Sequence, residues 1–323
     1  MRVTEMPTKV KRALASRWLF DNWFPLLIKI ALTRLGFNVK LVARIGDCTF
    51  ELSPETFERF VSRFSRGFIK SVECVNGKLL VNGIEVDIID DVIRDTETWA
   101  KVLGWDYDTV DGFWFKDNVK FRHMRSTILE IFDYGEYVLL DVKGKDIVDV
   151  GAYVGDSAMY FVLKGARRVF AVEPHLGAYT EMLDNIRLNN MENVIIPINA
   201  GLASKPGKIC VENVDTSNTF AIYHRPGDCS NAVPAITLGE LISRFGIDPN
   251  DAVLKMDCQG CEFDVILNDY EHVKLFREFI FEYHLNVAGT FTLNDLLKML
   301  NKDYKCKITR SGNTFGIIHC YHP

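Results

Sequence analysis

The sequence predicts an α/β protein built on a doubly wound, mostly parallel sheet, with an N-terminal α+β extension. Three observations carry this. From about residue 146 onward, short apolar runs alternate with helical segments. Those runs are continuously apolar rather than alternating, as strands covered on both faces require. The first third of the chain has a different texture, with short β-rich runs separated by tight-turn signals.

Residues 8–35 read as helix, broken near Pro25 because proline removes a backbone donor. "VKLVARIGDCTFEL" reads as two strands joined at Gly46-Asp47. Ser53-Pro54 opens a helix, with serine as cap and proline at the first helical position. The Asn-Gly pairs at 76–77 and 82–83 divide a small meander, since that dipeptide suits the positive φ angles of a hairpin turn. Residues 104–118 are dense in aromatics and aspartates. The glycine spacing and the absent closing glutamate argue against a calcium loop, leaving an aromatic loop tucked on the core or a lid that stacks on a ring.

The second part alternates in order. Strands are expected at 146–150, 168–172, 194–198, 252–256 and 276–284. Helices are expected at 156–164, 176–190, 237–246, 260–270 and 292–301, and two last strands near 305–310 and 314–320. This divides the chain into 1–125, with a lid or acceptor-shaping role, and 126–323, the ligand-binding domain.

A sheet of this kind binds ligands past the carboxyl ends of its strands. Gly151 and Gly155 bracket the first turn, in "DVGAYVGDSAMYF". A dinucleotide fingerprint would place glycines where Tyr153 and Asp156 stand. Tyrosine blocks the approach of a pyrophosphate, and an aspartate at a helix start occupies the field that a phosphate needs. The turn therefore suits a ligand without phosphates. Glu173 ends the second strand, where an acid can accept hydrogen bonds from ribose hydroxyls. Asn199 and the Ala200 backbone end the third and suit an adenine edge, and Asp257 ends the fourth. A nucleoside with no phosphate cradle points to S-adenosyl-L-methionine.

"DVGAYVGDSAMYF", "AVEP", the Asn185–Asn189 pair, "LKMDCQGCEFDVI" and "FEYH" occur in this order. In that order they resemble the FkbM family of S-adenosylmethionine-dependent methyltransferases, and the lead-in to residue 150 resembles archaeal members. Lys255, Asp257, Gln259, Gly260 and Glu262 fall on the family's pattern after the fourth strand. The resemblance covers roughly residues 128–285 and implies a Rossmann-like methyltransferase sheet of seven strands. It implies donor binding by Asp149, Gly151, Ala152, Tyr153, Gly155, Glu173, Pro174, Asn199, Ala200 and Asp257. His284, Asp257 and Glu262 become the catalytic candidates. His284 is the nominated general base, because a base titrating near neutrality suits a hydroxyl nucleophile; Asp257 is the rival.

The resemblance points to O-methylation of a sugar, glycan or small natural product. "MDCQG" lacks the Asn/Asp-Pro-Pro-aromatic motif that holds a flat base amine. RNA or protein acceptors and a non-catalytic scaffold remain as alternatives. A net charge of −5 disfavours nucleic acid as a general partner. No metal is expected, because Cys258-x-x-Cys261 has no second pair to complete a zinc site. Eight scattered cysteines read as reduced thiols, hence a cytoplasmic protein. The basic, apolar segment 8–35 reads as a helix packed on its own protein, with peripheral membrane contact as the alternative.

Overall fold

A computed structural model describes residues 14–215 and 224–323. The chain divides into two compact units, Met1–Asn118 and Val119–Pro323.

In the first unit a 3₁₀ turn, Ser16–Trp18, precedes the helix Trp23–Arg34. Pro25 does not break that helix. It occupies the first turn, where backbone N–H groups have no intrahelical partner to lose, and the interruption falls before Trp23. The hairpin Leu41–Ile45/Cys48–Leu52 turns at Gly46, which has φ +54°. Ser53 caps the helix Pro54–Ser65, accepting from Thr56 N at 3.0 Å. The meander Val72–Val75, Lys78–Val81 and Ile84–Val86 turns at Asn76-Gly77 and Asn82-Gly83, all four at positive φ. The aromatic stretch forms the hairpin Asp106–Asp108/Phe113–Lys116, and Trp105, Phe113 and Trp114 are buried.

The second unit holds a seven-stranded sheet: β1 (Asp146–Val150), β2 (Arg168–Val172), β3 (Ile195–Ile198), β4 (Ala252–Met256), β5 (Glu278–His284), β6 (Lys305–Ser311) and β7 (Phe315–Tyr321). Its order is β3-β2-β1-β4-β5-β7-β6, parallel except for β7, which runs antiparallel to β5 and β6. This is the doubly wound Rossmann-like arrangement. The order reverses between β1 and β4, which opens a crevice at their carboxyl ends. The unit's longer helices are α1 (Ser126–Phe132), α2 (Asp156–Leu163), α3 (Leu176–Leu188), α4 (Leu238–Phe245), α5 (Cys261–Asn268) and α6 (Leu293–Leu300). Capping boxes at Thr237/Glu240 and Thr292/Asp295 start α4 and α6. Every residue of β1 and β4 is buried, including Asp146 and Asp149 on β1 and Lys255 on β4, so the strands are covered on both faces.

Asn185 on α3 and Asn189, its C-terminal cap, lie one turn apart and clamp the segment that opens this unit. Arg122 N and Lys120 N donate to their side-chain oxygens at 2.9 and 2.8 Å. A small sheet, in the order Gly201–Leu202, Ala232–Ile236, Gly207–Val211, His224–Pro226, fills the passage between β3 and α4.

The cysteines correct the sequence reading. All eight pair as disulfides: Cys48–Cys74, Cys210–Cys229, Cys258–Cys261 and Cys306–Cys320. Partners 26, 19 and 14 residues apart meet only through strand pairing and turns, which spacing in the sequence does not reveal. Cysteine usage therefore gives no argument for a reducing compartment. Among the described residues, no helix is long and apolar enough to cross a membrane.

Candidate active site

A cleft of about 290 Å³ opens at the carboxyl ends of β1, β2, β4 and β5. Its first wall is the turn from β1 into α2. Gly151 has φ +73°, and a Cβ there would lie 1.8 Å from the carbonyl oxygen of Asp257, so only glycine lets β4 pass. Tyr153 has φ +48°. Gly155, at φ +86°, caps α2 against Met182. Asp156 is buried at the start of α2, and burial raises its carboxyl to about 6.

Beneath this turn lies a buried ion pair. Lys255 Nζ stands 3.0 Å from Asp149 Oδ1 and donates to Gly151 O at 2.8 Å, while Ser157 Oγ donates to Asp149 Oδ2 at 2.7 Å. Burial opposes the Lys255 cation, but the charges of Asp149 and Asp257 outweigh it and raise its pKa. Glu173 braces the same turn from β2, accepting from Tyr153 N at 2.9 Å and His175 N at 2.8 Å. Burial raises Glu173 to about 7.

A second wall joins the ends of β4 and β5. Glu262, fully buried on α5, accepts from His284 N at 3.0 Å and faces His284 Nδ1 at 3.0 Å. Its other oxygen accepts from Gly260 N at 2.9 Å. With Nδ1 fixed, Nε2 of His284 stands 3.9 Å from Asp257 and 3.8 Å from Glu282. Burial disfavours the imidazolium, yet the bond to Glu262 and the charges of Glu262, Asp257 and Glu282 raise it to about 9. Burial, then Asp257 and Glu136, raise Glu282 to about 8. Burial, then Glu130 and Asp257, raise Glu136 to about 7. Arg310 enters from β6, where the register slips after Ile308, and pairs with Glu136 at 3.0 Å. Asp257, Glu282 and His284 place their ligand atoms within 4.8 Å of one another, close enough to share protons or to hold one cation.

Of the residues expected from sequence, Gly151, Tyr153, Glu173, Pro174, Ala200, Asp257 and His284 line the cleft. Five stand behind it. Asp149 is held below by Lys255 and Ser157. Ala152 is wholly buried, and Gly155 caps its helix. Asn199 is a staple whose amide donates to the carbonyls of Glu173 and Pro174 at 3.0 and 3.3 Å. Glu262 positions His284 rather than facing a ligand. Sequence reasoning did not assign roles to Lys255, Glu282, Glu136, Tyr137 or Arg310, all of which line the cleft. Only Lys255 and Glu282 left a signal, inside "LKMD" and "FEYH". Cys258 and Cys261 form a disulfide between Asp257 and Glu262, where the sequence reading expected small thiols.

Comparison with known proteins points to the same family as the sequence motifs. The description "Methyltransferase FkbM domain" matches residues 149–306. That match spans just under half of the chain, so residues 149–306 are similar to an FkbM methyltransferase domain. A relative, uncharacterized protein 158B of Sulfolobus islandicus rod-shaped virus 1, is 26% identical over 164 residues, covering 51% of this chain and 74% of its own. In three dimensions the chain is similar to the FkbM methyltransferase of Methylobacillus flagellatus KT (TM-score 0.43, 17% identity, 58% of this chain). It spans 46% of that solved chain, less than half its length. It is also similar to TYW2 of M. jannaschii, solved in complex with AdoMet (TM-score 0.36, 13% identity, covering 65% of this chain and 86% of the other).

Proposed function

We propose that this FkbM-like domain transfers a methyl group from S-adenosyl-L-methionine to a hydroxyl of a sugar, glycan or small natural product. One observation carries the reading: the glycine turn that holds Tyr153 and Asp156 lines the same cleft as a histidine–carboxylate cluster. The turn fits a phosphate-free nucleoside, because Tyr153 and the buried Asp156 occupy what would be a phosphate cradle. Glu173 and Ala200 line the nucleoside end, and the acid of Asp257 suits the amino-acid tail. When bound, the donor supplies an electrophilic methyl carbon on a sulfonium.

The chain's own part is alignment and proton removal. Holding an acceptor oxygen in line with the methyl accounts for up to roughly 7–11 kcal/mol of the barrier. Nε2 of His284, in its neutral form, would take the hydroxyl proton as the acceptor oxygen is methylated. Glu262 holds that ring in place. Glu282, Glu136 and Arg310 offer the hydrogen-bonding groups that a polyhydroxyl acceptor needs.

The first test is donor binding. S-adenosylmethionine and S-adenosylhomocysteine at 100 times their dissociation constants should stabilise the protein by about 2.7 kcal/mol, with NAD and ATP inert. The second is chemistry. Mass spectrometry of reactions with a panel of sugars and hydroxylated small molecules should find O-methyl products. An N-methylated nucleotide or protein side chain as the product would overturn the reading.

A further inference from the structure

We infer that the helix Trp23–Arg34 and its flanks form a docking face for an anionic membrane surface. This goes beyond the proposed methyl transfer and does not rest on it.

Leu26 and Ile30 bury one side of the helix in its own unit. The opposite side is also apolar and stays open. Phe24, Ile28, Ala31 and Leu35 follow one another at steps of four, three and four residues, so they form a single stripe. Phe24 is 59% exposed, Ile28 50% and Leu35 74%. Trp18 and Phe37, at 70% and 60% exposed, flank the stripe. Five large apolar side chains so exposed within twenty residues exceed the scatter of single surface hydrophobes.

Charge selects the occupant. Residues 1–40 hold eight lysines and arginines against two acids, a net +6 in a chain whose total is −5. Residues 41–323 therefore carry −11. Arg17 lies over the Trp18 ring at 4.7 Å, and Arg34 and Lys29 lie about 90° and 130° round the helix to either side of the stripe. Arg34 and Lys40 pair with Glu58 and Glu51 in solvent, contacts weak enough to yield to lipid phosphates. An apolar stripe with an aromatic rim and basic flanks fits the headgroup–acyl boundary of an anionic leaflet. A second copy of the same face would set like charges against each other. The helix is too short to span a bilayer, so it lies in the surface.

The test is flotation of the full chain with vesicles of phosphatidylcholine alone and of phosphatidylcholine mixed with phosphatidylserine. Binding to the mixed vesicles should be at least tenfold stronger and should weaken with salt. The triple variant Phe24→Glu, Ile28→Glu, Leu35→Glu should lose that binding at least tenfold while keeping wild-type thermal stability. All three side chains are exposed, so the fold does not depend on them. Equal affinity for both vesicle types, or no binding to either, overturns the proposal. So does sedimentation showing that the triple variant abolishes self-association in the absence of lipid.

Discussion

A Cβ on Gly151 would meet the Asp257 carbonyl oxygen at 1.8 Å, and the residue's φ of +73° already disfavours any other side chain. Gly151→Ala must therefore push β1 and β4 apart where the cleft begins. Urea denaturation should show a loss of at least about 2 kcal/mol, and calorimetry a loss of donor binding beyond it. An alanine variant with wild-type stability and affinity would mean that the turn relaxes freely. Lys255 acts at the same place through charge. Lys255→Met leaves Asp149 buried and unpaired, at a cost of about 3–5 kcal/mol. Adding Asp149→Asn should recover most of that loss in a double-mutant cycle, because the orphaned charge goes with it. Were the two losses simply additive, the pair would not be coupled.

At the scale of elements, the ends of β4 and β5 and the start of α5 act as one device. Glu262 on α5 holds His284 on β5, and the resulting field keeps that ring protonated until about pH 9. A base must be neutral to accept a proton. The rate of methyl transfer should therefore climb with pH and level off near 9, rather than near the ordinary histidine value. Glu262→Gln keeps an acceptor for His284 N but removes a charge, so the plateau should begin at lower pH. His284→Ala should abolish the pH dependence together with most of the turnover. If His284→Ala keeps full turnover while Asp257→Asn removes it, the base is Asp257. Much of this device was legible in the sequence: β1 and β4 are buried on both faces and read as mostly apolar runs, and Asp257, Glu262 and His284 end or follow such runs. What could not be read was convergence. Glu136 and Arg310 reach the same cleft from segments 174 residues apart, and nothing local to either marks the meeting. The same blindness hid the disulfides. Glu262 was visible as a residue of the site but not as a support, because burial separates those roles and sequence does not report it.

For the whole molecule, the crowding of acids at the cleft has a thermodynamic consequence. Asp156 is raised to about 6, Glu136 and Glu173 to about 7, Glu282 to about 8 and His284 to about 9. In each case the folded state holds a proton that the unfolded chain has released at the same pH. The folded state thus binds more protons between about pH 4.5 and 9, and stability must fall as pH rises across that window. For His284 alone, the contribution is fully present below its unfolded value of 6.5 and is lost as pH passes 9. His175, lowered by burial, works the other way, but only in the range below 6.5. The ligand-free protein should therefore melt several degrees lower at pH 9 than at pH 6. Glu282→Gln, which removes an acid whose ionisation the fold resists, should flatten the decline above pH 7. A melting temperature that stays level or rises from pH 6 to 9 would show that these carboxyl groups do not hold their protons in the folded state. The elevated histidine on which the pH–rate argument depends would then fall with them.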